Sequence, residues 1–292
     1  MKSYKKSCLL VLIIISTLHV YGQKFSASFT SSASNESFSG KVILYLSKES
    51  KSPKDEMVGV ERFPCFSITV NNVKPNNKVV FDDNAVAYPT KLSDIERGKY
   101  YAQIVWDKNE GGRSIAESPG NIYNDAITVQ LTKSTNTVFN VVCNNVVKEK
   151  SFAETQFVKE LKVPSQLLSS FYKRATTINA AIILPKEYYD APERKFPVLY
   201  WISGYGGDYH NLSGNNNPSS PIDTMPCIRV FLDGNCSLGH CVYANSDNNG
   251  PWGDALTQEF IPQVEKTYRT DKARLLTGHS SGGWTVLWLQ TH

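Results

Sequence analysis

One pentapeptide, Gly278-His279-Ser280-Ser281-Gly282, constrains this chain more than any other segment, because of what flanks it. Before it, Ala273-Arg274-Leu275-Leu276-Thr277 reads as a short buried strand. After it, Gly283-Trp284-Thr285-Val286-Leu287-Trp288-Leu289 reads as a buried helix. A G-x-S-x-G pattern between strand and helix is a sharp turn that lifts the serine above the edge of a sheet. Such a turn presses neighbouring backbones together, so side chains at 278 and 282 would clash and glycine is required. Ser280 then stands at a helix N-terminus, whose dipole favours developing negative charge. Ser280 is the candidate nucleophile.

The stretch before the elbow supplies the rest of a sheet. Val163-Pro164-Ser165-Gln166-Leu167-Leu168 opens a short segment, Thr176 to Leu184 reads as a strand, Pro197 to Ile202 as a second and Cys227 to Leu232 as a third. Asp254 to Tyr268 reads as a helix with Leu256, Phe260, Ile261, Val264 and Tyr268 on one face, and Pro262 predicts a kink or restart within it. Continuous apolar strands alternating with helices predict a parallel sheet covered on both faces.

A second glycine-rich turn follows the strand at 197–202, in the run Trp201-Ile202-Ser203-Gly204-Tyr205-Gly206-Gly207-Asp208. A serine nucleophile attacking a carbonyl needs two N–H donors for the oxyanion that forms. The amide of Ser281, next after the nucleophile, supplies one; Tyr205 is the candidate for the other. His279 should point away from the Ser280 hydroxyl, and His292, twelve residues further along the same helix, lies about 18 Å from it at 1.5 Å per residue. His240, His210 and Trp252 are candidate pocket-lining residues. Asp233, after the strand at 227–232, is expected to shape its turn.

Residues 24 to about 148 differ in texture. Strand-like runs at 25–29, 42–46, 66–70, 79–81, 100–106, 126–131 and 137–142 are separated by Asn, Gly, Ser, Pro and Lys clusters. That spacing predicts an all-β, immunoglobulin-like sandwich. Tyr45, Tyr100 and Trp106 are expected in its core, with sugar stacking as the alternative. The polar junction Lys148-Glu149-Lys150-Ser151 divides this unit, 23–148, from the second, 149–292.

The N-terminus carries Lys2, Lys5 and Lys6 ahead of the apolar run Leu9 to Ile15, with Tyr21-Gly22-Gln23 as a cleavage zone. This is the pattern of a secretory signal peptide over 1–22, too short for a comfortable membrane span. The mature chain is expected to be secreted or periplasmic. Cleavage takes three lysines and no acid from a formal net charge of +4, leaving no basic face for nucleic acid or an anionic membrane. Of six cysteines, Cys8 leaves with the leader. One bridge among Cys227, Cys236 and Cys241 is expected, and their spacing lacks the C-x-x-C pairs of a zinc site, so no metal is expected.

Four segments together carry a resemblance. The run from Pro197 through Gly207, Phe231-Leu232-Asp233-Gly234, the run from Asn249 through Pro262, and Gly278-His279-Ser280-Ser281-Gly282-Gly283 resemble, in order and spacing, the putative-esterase family. That family includes esterase D, feruloyl and acetyl-xylan esterases, enterochelin esterases and the antigen 85 mycolyltransferases. The resemblance covers about 175–292 and implies an α/β-hydrolase fold, an acyl-enzyme on Ser280, an oxyanion hole from Tyr205 and Ser281, and no cofactor. The family often has His-Gly where this chain has Ser203-Gly204. It also places its triad acid and histidine after the elbow, so the reading expects a hydrolase domain incomplete at its C-terminus, without those two triad members and nearly inactive by itself. The implied substrate is a small-molecule or carbohydrate-linked ester. Alternatives are an acyltransferase of the same fold and a non-catalytic carbohydrate- or ligand-binding protein using the sandwich.

Overall fold

Period-two burial builds the first half of the chain. In a computed structural model that describes residues 23–56, 63–108, 112–132 and 137–291, ten strands precede residue 147. They are β1 (Lys24–Phe29), β2 (Phe38–Ser47), β3 (Cys65–Val73), β4 (Val79–Phe81), β5 (Val86–Tyr88), β6 (Gly98–Asp107), β7 (Ile122–Tyr123), β8 (Ile127–Leu131), β9 (Val138–Cys143) and β10 (Asn145–Val146). The expected leader, 1–22, lies outside the described residues. One sheet has the order β4-β1-β9; the other runs β10-β7-β6-β2-β3-β5, with β8 also on β6. All seven expected strands are present. The three unanticipated ones, β5, β7 and β10, are two or three residues long, too short to print a period-two pattern.

Aromatic side chains from both sheets join in one core. Phe25 and Phe29 of β1 meet Phe38, Leu44 and Trp106 from the other sheet, and the Phe29 and Trp106 rings lie 4.9 Å apart, edge to face. Trp106 and Tyr100 are buried, so neither is a stacking platform for sugar, and Tyr45 is half-buried.

The second half is β11 (Val158–Pro164), α1 (Gln166–Tyr172), β12 (Thr177–Ile183), α2 (Glu187–Asp190), β13 (Phe196–Ile202), β14 (Ile228–Leu232), the short pairs β15 (Asn235–Cys236) with β16 (Gly239–His240) and β17 (Asn245–Ser246) with β18 (Gly250–Pro251), α3 (Trp252–Asp254), α4 (Ile261–Thr267), β19 (Thr270–Gly278) and α5 (Ser281–Leu289). The five long strands form one sheet in the order β11-β12-β14-β13-β19. It is not the all-parallel sheet the sequence suggested. β13 runs parallel to β14 and β19, but β12 is antiparallel to both β11 and β14. A continuous apolar run reports burial on both faces and says nothing about strand direction. Ala255–Phe260 forms a π-helical turn, and Pro262 then sits in the first turn of α4, where its missing N–H costs nothing. The helix therefore restarts at the expected proline.

A second correction concerns burial around the elbow. β13 is buried almost throughout, whereas most of β19 is exposed or partly so. Of α5, only Gly282 and Thr285 are buried; Trp284 and Leu287 are 54% and 66% exposed. Apolarity alone gave the wrong expectation because β19 has a strand neighbour on one side only among the described residues.

Candidate active site

The parallel strands β13, β14 and β19 end side by side, and ligands of open α/β sheets bind outside such carboxyl ends. Ile202, at the end of β13, pairs with Gly278, at the end of β19, so the two following turns face each other.

Ser280 occupies the turn after β19 with φ 55° and ψ −122°, a conformation that L-residues rarely adopt. Strain of this kind persists only where the surroundings over-determine it, and the backbone of the elbow and of β13 does so. A methyl group on Gly282 would lie 2.1 Å from the carbonyl oxygen of Ile202, and one on Gly278 would lie 2.2 Å from the carbonyl oxygen of Gly282. The Gly282 amide donates to the His279 carbonyl at 2.8 Å and closes the turn. Ser280 is exposed and caps the start of α5.

The Ser203–Gly207 turn faces it closely. A methyl group on Gly204 would lie 3.0 Å from Ser280 Cβ and 3.6 Å from its Oγ. Among the described residues, neither the Tyr205 amide nor the Ser281 amide donates a hydrogen bond, and Ser280 Oγ has no partner. Two free backbone donors flanking an exposed, strained serine are what an oxyanion needs.

The other candidates divide. His210 and Trp252 line a cavity of about 400 Å³ at the seam between the two halves, and Asp233 lines it too. His240 does not, nor does Ser280 or Tyr205. His210 Nδ1 pairs with Asp208 Oδ1 at 2.8 Å. Burial pushes the Asp208 carboxyl up, but the His210 amide, the Lys150 ammonium and the His210 ring together hold it below its usual value. His240 Nδ1 accepts the Val242 amide at 3.0 Å, and burial makes its imidazole less basic than usual. Asp233 shapes its turn as expected, accepting the Asn235 amide at 3.1 Å. Its burial also pushes the carboxyl up to about 6. The expected bridge is absent: Cys227, Cys236 and Cys241 are all free thiols.

Sequence reading missed Arg113. It comes from the first half of the chain, yet its guanidinium donates to the Gly207 carbonyl at 3.0 Å and lies 5.7 Å from the centre of the Tyr205 ring. Its amide donates to Asn235 Oδ1 at 2.8 Å. One residue thus ties the Tyr205 turn to the β15–β16 hairpin. No local pattern around position 113 announces this contact, because it depends on how the two halves meet.

The family described as Putative esterase matches residues 173–292. Among solved structures, the chain is similar to a ferulic acid esterase (20% identity, 46% of this chain, 55% of that chain, TM-score 0.36). It is also similar to an S-formylglutathione hydrolase from Agrobacterium tumefaciens (16%, 47% and 54%, TM-score 0.37). A third is a ferulic acid esterase from Anaeromyces mucronatus in complex with ferulic acid (18%, 49% and 55%, TM-score 0.33). The chain spans about half the length of these structures. No curated protein matches it.

Proposed function

We propose that the protein, whose residues 173–292 match the family described as Putative esterase, is an exported carboxylic ester hydrolase that works through an acyl-enzyme on Ser280. The observation that carries the reading is the backbone of Ser280 itself: a left-handed φ of 55° on a non-glycine residue, beside two amides without partners. In the proposed reaction, Ser280 Oγ attacks the ester carbonyl carbon and its proton passes to a base. The carbonyl oxygen becomes an oxyanion held by the amides of Tyr205 and Ser281. Collapse breaks the bond to the leaving alcohol, which takes up a proton, and water then releases the acid from the serine. The family's ester chemistry makes a small-molecule or carbohydrate-linked ester the proposed substrate. Export rests on the leader pattern at 1–22, and residues 23–148 are proposed as an accessory β-sandwich.

Turnover of p-nitrophenyl acetate by the protein expressed from its entire gene, beside a Ser280→Ala variant, tests the reading. Hydrolysis that falls to the buffer rate in Ser280→Ala supports it. Equal hydrolysis by both, or none by either, overturns Ser280 as the working nucleophile of this chain.

A further inference from the structure

The seam between the two halves holds a second cavity of about 480 Å³, which shares Tyr172, Arg174 and Ser237 with the one described above. It opens as a furrow at the end of α1, beside the first cavity, whose own lining holds the carboxylates Glu117, Glu149, Asp208 and Asp233. In the second cavity the lining is basic. Lys108 enters from the first half just after β6; Lys173 and Arg174 enter from the second half where α1 ends. No carboxylate lines this cavity, and none of these three cations makes a salt bridge among the described residues. Lys173 is set by the end of α1, where it adopts a left-handed φ of 56°. Arg174 is held with its guanidinium 5.4 Å from the centre of the Tyr172 ring. That ring is in turn fixed by its hydroxyl, which donates to the Asn249 carbonyl at 2.6 Å and accepts from Trp252 Nε1 at 3.1 Å. Three like charges gathered without a counter-charge repel one another, and an anion in the furrow relieves that repulsion.

The remaining lining narrows the class of anion. Phe171 is 39% exposed and Leu238 is 63% exposed, so apolar surface stands beside the cations. Ser237 and Asn248 add a hydroxyl and an amide. A ligand that presents carboxylates, hydroxyls and apolar C–H faces in repeating order satisfies all three kinds of lining. We propose that this furrow binds a uronate-bearing oligosaccharide. This deepens the ester-hydrolase reading by naming the carbohydrate on which the ester is carried, and it rests on that reading only for that link. The binding itself is independent of Ser280.

The test is titration calorimetry on the whole chain with oligogalacturonate, an oligogalactan of equal length as the neutral, ester-free form, and poly-glutamate as the acidic peptide control. The expected result is binding of oligogalacturonate alone, weakened roughly tenfold by raising salt well above physiological strength. Binding should weaken at least tenfold in Lys173→Gln/Arg174→Gln, while the urea midpoint stays near wild type. Lys108→Gln alone, on the opposite wall, should weaken it by a smaller factor and guards against a folding defect at the end of α1. Absence of oligogalacturonate binding, equal binding by the double variant, or equal binding of the neutral form or of poly-glutamate overturns the proposal. Charge-dependent oligogalacturonate binding by a protein that, expressed from its entire gene, lacks esterase turnover would sink the hydrolase reading and leave the furrow standing.

Discussion

The elbow Gly278–Gly282 is held by backbone, its own and that of β13, whereas the Ser203–Gly207 turn opposite is held by side chains from far along the chain. On the elbow, Gly278, Gly282 and the carbonyl of Ile202 approach so closely that no Cβ fits. On the facing turn, Arg113 from the first half reaches the Gly207 carbonyl and the Tyr205 ring, and Gly239 of the β15–β16 hairpin packs against that ring. Both segments carry a proposed oxyanion donor, yet one is set by backbone close packing within the sheet and the other by side chains that reach it from the first half. The lesson is that the two halves of such a site can draw their rigidity from different sources, backbone sterics on one side and side-chain contacts on the other. Lesions in the two halves should therefore look different.

Gly282→Ala should do the most damage. Its methyl group would drive into the backbone of β13, which has no rotamer with which to yield. Overpacking against backbone costs roughly 3 kcal/mol, and it displaces Ser280 at the same time. The expected outcome is a lower urea midpoint together with loss of Ser280-dependent p-nitrophenyl acetate turnover. Wild-type stability in this variant would show that the elbow can relax and that the close approach is not what fixes φ at Ser280.

That asymmetry also explains what was legible. The G-x-S-x-G run and its flanks gave the strand, the turn and the helix, because that pattern lies within residues 273–289, although the backbone that Gly282 packs against, Ile202, lies eighty positions away. Seven strands of the first half, the three-residue β4 among them, were legible as β-rich runs bounded by turn residues. Strand direction was not: β12 is as apolar as its parallel neighbours, and nothing in a buried strand's composition records which way its partner runs, while β11, with Lys159, Glu160 and Lys162, carries too many charges to read as a buried strand at all. The exposure of β19 and α5 was hidden for a similar reason, since apolarity describes what a segment could bury and not what stands against it. Arg113 was invisible because its partners lie 94 and 122 positions away in the chain.

Asp233 probes the supporting side of the comparison. It lies at the foot of the β15–β16 hairpin, and the Tyr243 hydroxyl donates to its carbonyl. Burial raises the carboxyl from its ordinary value of 3.8 to about 6 in the folded chain. A raised value means that the folded state favours the protonated acid. Stability from this group is therefore fully present below pH 4 and is lost as pH climbs from about 4 to about 6. Asp233→Asn keeps the acceptor for the Asn235 amide and removes the charge. It should gain roughly 3 kcal/mol at pH 8 and little at pH 4. Thermal melts at the two pH values read this directly; an equal change at both would mean that burial of the charge is not the cause.

Arg113→Lys should separate positioning from stability. Lysine keeps the charge but loses the planar fork that lets one side chain donate to Gly207 while lying near Tyr205. A loosened Tyr205 turn should lower kcat on p-nitrophenyl acetate roughly tenfold, about 1.4 kcal/mol in the barrier. KM and the urea midpoint should stay near wild type. A fall in stability with unchanged kcat would reassign Arg113 to fastening the two halves together.

The smallest effect belongs to the outer face of α5. Leu287 is exposed, and the helix is fastened by its inner face, where buried Thr285 donates to the Val242 carbonyl at 2.8 Å. If the elbow is rigid because of Gly278, Gly282 and Thr285, removing an exposed leucine should not reach Ser280. Leu287→Ser should shift stability by no more than about 0.5 kcal/mol and leave turnover unchanged. A larger loss, or one that grows with dilution of the protein, would mean that Leu287 is covered in solution and that the elbow, too, leans on a contact beyond its close-packed backbone.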